Sequence, residues 1–221
     1  MQQNIHFSQE VPYYAQAASP ELLRPIIEEG FDPEQDPNWS CYGAANPGEY
    51  DHWVLRACGI ICVKMCVEAL GGSQLSVHGW IKRGLDRDGY LTVDHDGVLE
   101  ERGWVHRVLA ELIEAEGLFA QAVTTDLSGI LHYLSQDRLF IASVSYQLGT
   151  RDPITFKGGH LVVVQGAELV DGEPIKIFLN NPSGRYPDLC ANAGIPAQRF
   201  QEAYTGRGIV VGRSNSNALT Y

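Results

Sequence analysis

CGIICVKMCVEALGG, residues 58–72, places apolar or thiol side chains at helical spacing and stops on Gly71-Gly72. A helix that is apolar on nearly every face must be buried, and glycine after the last periodic residue is a C-terminal stop. The stretch therefore predicts a mostly buried helix from Cys58 to Leu70 that opens on a thiol. Upstream, residues 32–53 (DPEQDPNWSCYGAANPGEYDHW) are dense in Pro, Gly, Asn and Asp and read as a long loop, preceded by a short helical turn over residues 21–30 that Pro25 interrupts. Downstream, short helices are expected over Val77 to Gly84, Val105 to Glu116 and Leu127 to Ser135, the last after the N-cap residue Asp126.

The second half changes character. LFIASVSY (139–146), GHLVVVQGAEL (159–169) and PIKIFLNNP (174–182) are rich in β-branched residues and bounded by Gly, Pro or Asp, so they read as strands. Val170-Asp171-Gly172-Glu173 has the residues of a hairpin turn and predicts antiparallel pairing of the last two. Helices followed by strands give an α+β fold, with the helical half packed on a curved sheet, in a single domain over 1–221.

The net charge of -11 and the pI near 5.0 argue against a nucleic-acid partner, because phosphate backbones are bound by displacing counterions with Lys and Arg. The start MQQNIHFSQEVPYY lacks the basic and apolar regions of a signal peptide, and no run approaches the roughly 18 apolar residues of a membrane span. A cytoplasmic protein without a membrane partner is the expectation. Five cysteines, Cys41, Cys58, Cys62, Cys66 and Cys190, are an odd number and read as reduced thiols.

Cys58 stands where loop becomes helix, beside unpaired backbone N–H groups and the positive end of the helix dipole, a setting that lowers a thiol pKa. Most free cysteines are nevertheless small buried hydrophobes. His160 follows Gly158-Gly159 and opens a strand, where it can exchange a proton with a neighbour or be an ordinary strand-end histidine, as His6, His95 and His132 are read. Asn180 and Asn181 precede Pro182-Ser183-Gly184 and read either as turn residues or as the amide that orients an imidazole.

Taken together, VPYYAQ (11–16), ACGIICVKM (57–65), GGHLVVVQG (158–166) and IFLNNPSG (177–184) resemble the papain-like cysteine peptidases of the bacteriocin-leader-processing, double-glycine type, stand-alone relatives included. The likeness runs from about Val11 to Val211 and takes in Gly103 to Gly117, DLSGILHYL (126–134) and RFQEAYTGRGIVV (199–211). The resemblance implies a papain-like fold with the nucleophile at the start of a central helix. It also implies Cys58 as nucleophile, His160 as general base, Asn181 as orienting group and Gln16 as an oxyanion donor beside the backbone N–H of Cys58. The implied activity is cleavage or transfer of an acyl or peptidyl group through a thioester on Cys58, with a peptide or peptide-like substrate and no cofactor. Two positions depart from the family pattern: Ile60 stands where proline is usual, and Asn181 where aspartate is usual. Neither removes a reacting group, although Asn stabilises an imidazolium less than Asp does.

Two other classes remain open in the sequence. An amine in place of water makes the same acyl-enzyme a transferase, ligase or macrocyclase, and a pseudoenzyme would be a binding module. A metal site on Cys58, Cys62 and Cys66 is disfavoured, since positions four apart on a helix spread their sulfurs over roughly 12 Å, and at least two of the three are expected in the core. Asp86-Arg87-Asp88-Gly89 and Asp94-His95-Asp96-Gly97 read as polar turns, and the four tryptophans are weighted toward the core.

Overall fold

A computed structural model of the chain describes residues 1–95 and 98–214. In chain order the elements are β1 (Gln2–His6), α1 (Pro47–Val54), α2 (Cys58–Ala69), α3 (Val77–Leu85), β2 (Tyr90–His95), β3 (Val98–Trp104), α4 (His106–Glu114), β4 (Leu118–Thr124), α5 (Leu127–Ser135), β5 (Leu139–Ser145), β6 (Gly159–Val170), β7 (Glu173–Asn180), β8 (Ala193–Pro196), α6 (Ala197–Ala203) and β9 (Tyr204–Arg213). The fold is α+β with a mainly antiparallel sheet. Seven strands join in the order β4-β9-β5-β6-β7-β8, with β1 added along β6, and β2 and β3 form a separate two-stranded ribbon.

The continuous apolar runs of β5 and β6 follow from a sheet covered on both faces. Leu139, Ile141, Leu161 and Val163 pack into the core built with α2, α3 and α4, while Phe140, Ala142, Val144, Val162 and Val164 pack into a second core with α5 and α6. Alternate residues of a strand point to opposite faces, so apolar residues are needed on both sides along most of β5 and β6. Asp171 and Gly172 both take positive φ, 51° and 89°, and close the β6–β7 hairpin as their residue types require. Inside α2, Cys62 and Cys66 are fully buried in the first core.

Several expectations need correction. The stretch read as a loop contains α1, with Asn46 Oδ1 accepting from Glu49 N–H and Pro47 in the first turn. Strands also occur in the first half, and the sheet is completed by β4 and β9. Asp86 to Gly89 is the turn between α3 and β2, as expected, whereas in the second expected turn Asp94 and His95 belong to strand β2 and Asp96 and Gly97 lie outside the described residues. Trp53, Trp80 and Trp104 are buried, as weighted, and Trp39 is half-buried.

Candidate active site

The start of α2 is pressed against β6, and Gly59 makes that possible. A Cβ there would lie 2.9 Å from Leu109 Cδ1, 3.0 Å from Leu161 Cδ1 and 3.2 Å from Trp104 Cβ. The helix start thus meets β6 at the residue after His160. Gly59→Ala must move those side chains, and we expect a loss of about 1–3 kcal/mol in urea unfolding, the range typical of overpacking; an unchanged midpoint would show that the contact is slack.

Cys58 is the first residue of α2 and half-buried, and its N-cap residue Ala57 provides no side-chain cap. The backbone N–H groups of Leu161, Gly59 and Cys58 itself favour its thiolate, but burial outweighs them and pushes the thiol up. The expected lowering by the helix terminus is therefore reversed in this resting structure. Among the described residues, no hydrogen bond joins Cys58 to His160.

His160 is 4% exposed and sits opposite Val144 in the β5–β6 ladder. Its Nε2 lies 2.8 Å from Asn181 Oδ1, and the same oxygen accepts from Ser183 N–H at 2.9 Å. A backbone N–H only donates, so this second bond fixes which end of the Asn181 amide faces the imidazole. Nε2 must then carry the proton, and Nδ1 of the neutral ring is left as the basic nitrogen. Burial, opposed by Asn181 and reinforced by the charge of Arg185, brings the His160 pKa down to about 4. Thiol and imidazole thus rest uncharged.

That shift has a consequence for stability. The folded pKa lies below the ordinary value of about 6.5, so between these values the unfolded chain takes up a proton that the native chain refuses, and stability falls as pH drops through the window. The loss from pH 7 to pH 4 is on the order of 3 kcal/mol for this group. His78 and His106 are lowered by burial too and act in the same direction. Urea midpoints at the two pH values should converge in His160→Gln; an undiminished pH dependence would deny the shift.

Gln16 is buried and bound to the same turn. Its N–H donates to Pro182 O at 2.8 Å, its Oε1 accepts from Ser183 Oγ, and its Nε2 donates to Val54 O at 3.0 Å. An amide nitrogen has two hydrogens, so one remains for another acceptor. Asn180 anchors this segment from the other side: its Nδ2 donates to Val11 O and Pro12 O, both at 3.2 Å, and its Oδ1 accepts from Asn192 N–H at 2.7 Å.

The structure thus joins Gln16, His160 and Asn181 through the 181–183 turn and brings the Cys58 helix against β6. Sequence reading missed Ser183, which holds both Asn181 and Gln16. The signal was present in Asn-Pro-Ser, since an Asn side chain that accepts from the N–H two residues on is a common turn device. Among the described residues no cluster of three or more metal-binding side chains occurs, and no helix is long and apolar enough to cross a membrane.

His160, Asn181 and Gln16 are thus linked through one turn, beside the helix start that carries Cys58. No family model and no curated protein matches the chain. Among solved structures, the chain is similar to the peptidase domain of Streptococcus ComA, a bi-functional ABC transporter involved in a quorum sensing pathway, at 17% identity and a TM-score of 0.49, over 72% of this chain and 93% of that one. It is similar to a double glycine motif protease from an AMS/PCAT transporter in complex with the leader peptide, at 13% identity and a TM-score of 0.46, over 72% and 86% of the two chains. A third similarity is to the N-terminal peptidase C39 like domain of a toxin secretion ATP-binding protein from Vibrio parahaemolyticus, at 21% identity and a TM-score of 0.31, over 49% and 69%.

Proposed function

We propose that the chain is a papain-like cysteine peptidase or a related acyl-transfer enzyme acting on a peptide or peptide-like substrate. The observation that carries this reading is the His160–Asn181 bond at 2.8 Å, with the amide held by Ser183 N–H so that Nδ1 is the free base. Asn181 is thus a positioning residue for His160. In the reaction, His160 Nδ1 takes the thiol proton as Cys58 Sγ attacks the carbonyl carbon, and the oxyanion is met by the Cys58 N–H and the second Nε2 hydrogen of Gln16. The imidazolium returns the proton to the leaving amine as the carbon–nitrogen bond breaks, leaving a thioester on Cys58. Water then releases the acid, or an amine takes the acyl group. Because thiol and imidazole rest uncharged, the base works during attack instead of through a standing ion pair. The missing Cys58–His160 hydrogen bond fits a site that tightens only around substrate.

A binding module is the second reading, and the raised Cys58 thiol is what favours it. p-Nitrophenyl acetate separates the two. The enzyme reading predicts a burst of p-nitrophenolate with one acetyl group on Cys58 by peptide mapping. Acetylation confined to exposed Cys41 would favour the module.

A further inference from the structure

In a chain of net charge -11, one arginine is enclosed beside the candidate site. Arg185 has a side chain only 15% exposed. It follows the turn that holds Asn181, and its backbone N–H donates to Gly149 O at 3.0 Å. Its guanidinium lies 5.7 Å from the centre of the Tyr146 ring, and Tyr146 directly succeeds β5, whose Val144 pairs with His160. Nη1 bonds to Glu28 at 2.9 Å, Nε is buried with no partner, and Nη2 has no partner among the described residues. Arg24 and Arg151 also lie on this side, paired with Glu28 at 2.8 Å and Asp188 at 3.2 Å, but both are much more exposed than Arg185. The Tyr146 ring, 45% exposed, lies in turn 5.0 Å from that of Phe156, 40% exposed.

An incompletely paired guanidinium in a mostly buried setting attracts a carboxylate more strongly than one in open water. Its side of the site follows from the chemistry. His160 must protonate the leaving group, so that part of the substrate lies toward His160, and Arg185 follows the turn that holds Asn181 and acts on the His160 imidazole with its charge. We infer that Arg185, beside the Tyr146 ring, is a specificity-determining residue that takes a carboxylate in the leaving-group portion of the substrate. This rests on the reading of Cys58 and His160 as nucleophile and base. Glu28 occupies one edge of the guanidinium and competes for it.

Iodoacetate and iodoacetamide differ by one carboxylate and alkylate a thiol by the same step: sulfur displaces iodide from carbon, and the thiol proton leaves. The ratio of their rates at Cys58, read by intact mass and peptide mapping, should fall about fivefold in Arg185→Gln, a Coulomb effect of ordinary size at a partly buried site. Arg185→Lys should recover part of it, and Glu28→Gln, which frees the guanidinium, should raise it. A ratio that is the same in wild type, Arg185→Gln and Glu28→Gln overturns the proposal. The two sources of a carboxylate are separated by protection of Cys58 from iodoacetamide. Protection by acetyl-Gly-Gly with a free terminus, above its amide, assigns a chain terminus. Protection by acetyl-Gly-Glu-amide, above the Gln peptide, assigns an acidic side chain. Equal protection by charged and neutral peptides overturns the proposal. Rates unaltered by His160→Gln would instead remove the nucleophile assignment, and the reagent ratio, readable from a slow thiol, would still judge Arg185.

Discussion

Under the proposed mechanism, Cys58→Ala should abolish acyl transfer and His160→Gln should lower it by about 10⁴-fold or more, because removing either member of a nucleophile–base pair disables the same step. Burst amplitude with p-nitrophenyl acetate measures both. Cys62→Ala is the control: the residue is one turn along α2, fully buried, and its thiol is pushed well above the ordinary range by burial. It should cost stability through the cavity it leaves while keeping the burst. A dead Cys62→Ala with an active Cys58→Ala would place the nucleophile one turn too early in this account. Gln16→Ala should do less, on the order of 10²–10³-fold, as expected for one oxyanion donor.

The second large effect is expected at Asn181. Without its amide, His160 loses the acceptor that holds the proton on Nε2, and the wrong tautomer presents N–H to the thiol in place of a lone pair. Asn181→Ala should therefore lower activity by about 10²–10⁴-fold, within the range seen when a histidine loses its orienting partner. Asn181→Asp is the informative companion. A carboxylate still accepts from His160 and from Ser183 N–H, and it raises the His160 pKa from its low value. Histidine titration by NMR should show that upward shift in Asn181→Asp. An unmoved pKa would mean that His160 and residue 181 are not coupled.

The legibility of this site in the sequence was uneven, for physical reasons. The buried helix at Cys58 and the β6–β7 hairpin were readable because apolar spacing, a glycine stop and Asp171-Gly172 are local signals. The long expected loop hid α1 although Asn46, Pro47 and Glu49 form a helix start in plain view; the polar composition around them masked it. Strand β9 was harder, because its glycines lower strand propensity and are there for packing: a Cβ at Gly208 would lie 2.4 Å from Ile141 O.

At the site, residue types and order pointed to Cys58, His160, Asn181 and Gln16, but the burial that raises the Cys58 thiol was not legible. A helix terminus lowers a thiol pKa less where burial opposes it, and the core against which Cys58 packs, with Trp104, Leu109 and Leu161 among its members, is built from residues distant in sequence. Arg185 was invisible for the same reason, since its closeness to His160 depends on how the turn after β7 folds back toward Gly149.

The most direct test is the pH dependence of Cys58 alkylation by iodoacetamide in wild type and His160→Gln. If His160 takes the proton as sulfur attacks, the wild-type rate holds a plateau below the thiol's own ionisation and falls away only as His160 protonates near pH 4. The plateau disappears in His160→Gln, leaving the rise of a thiol that ionises above its ordinary range. A wild-type profile that follows a single thiol ionisation, with the same rates in His160→Gln, would contradict the coupling of Cys58 to His160.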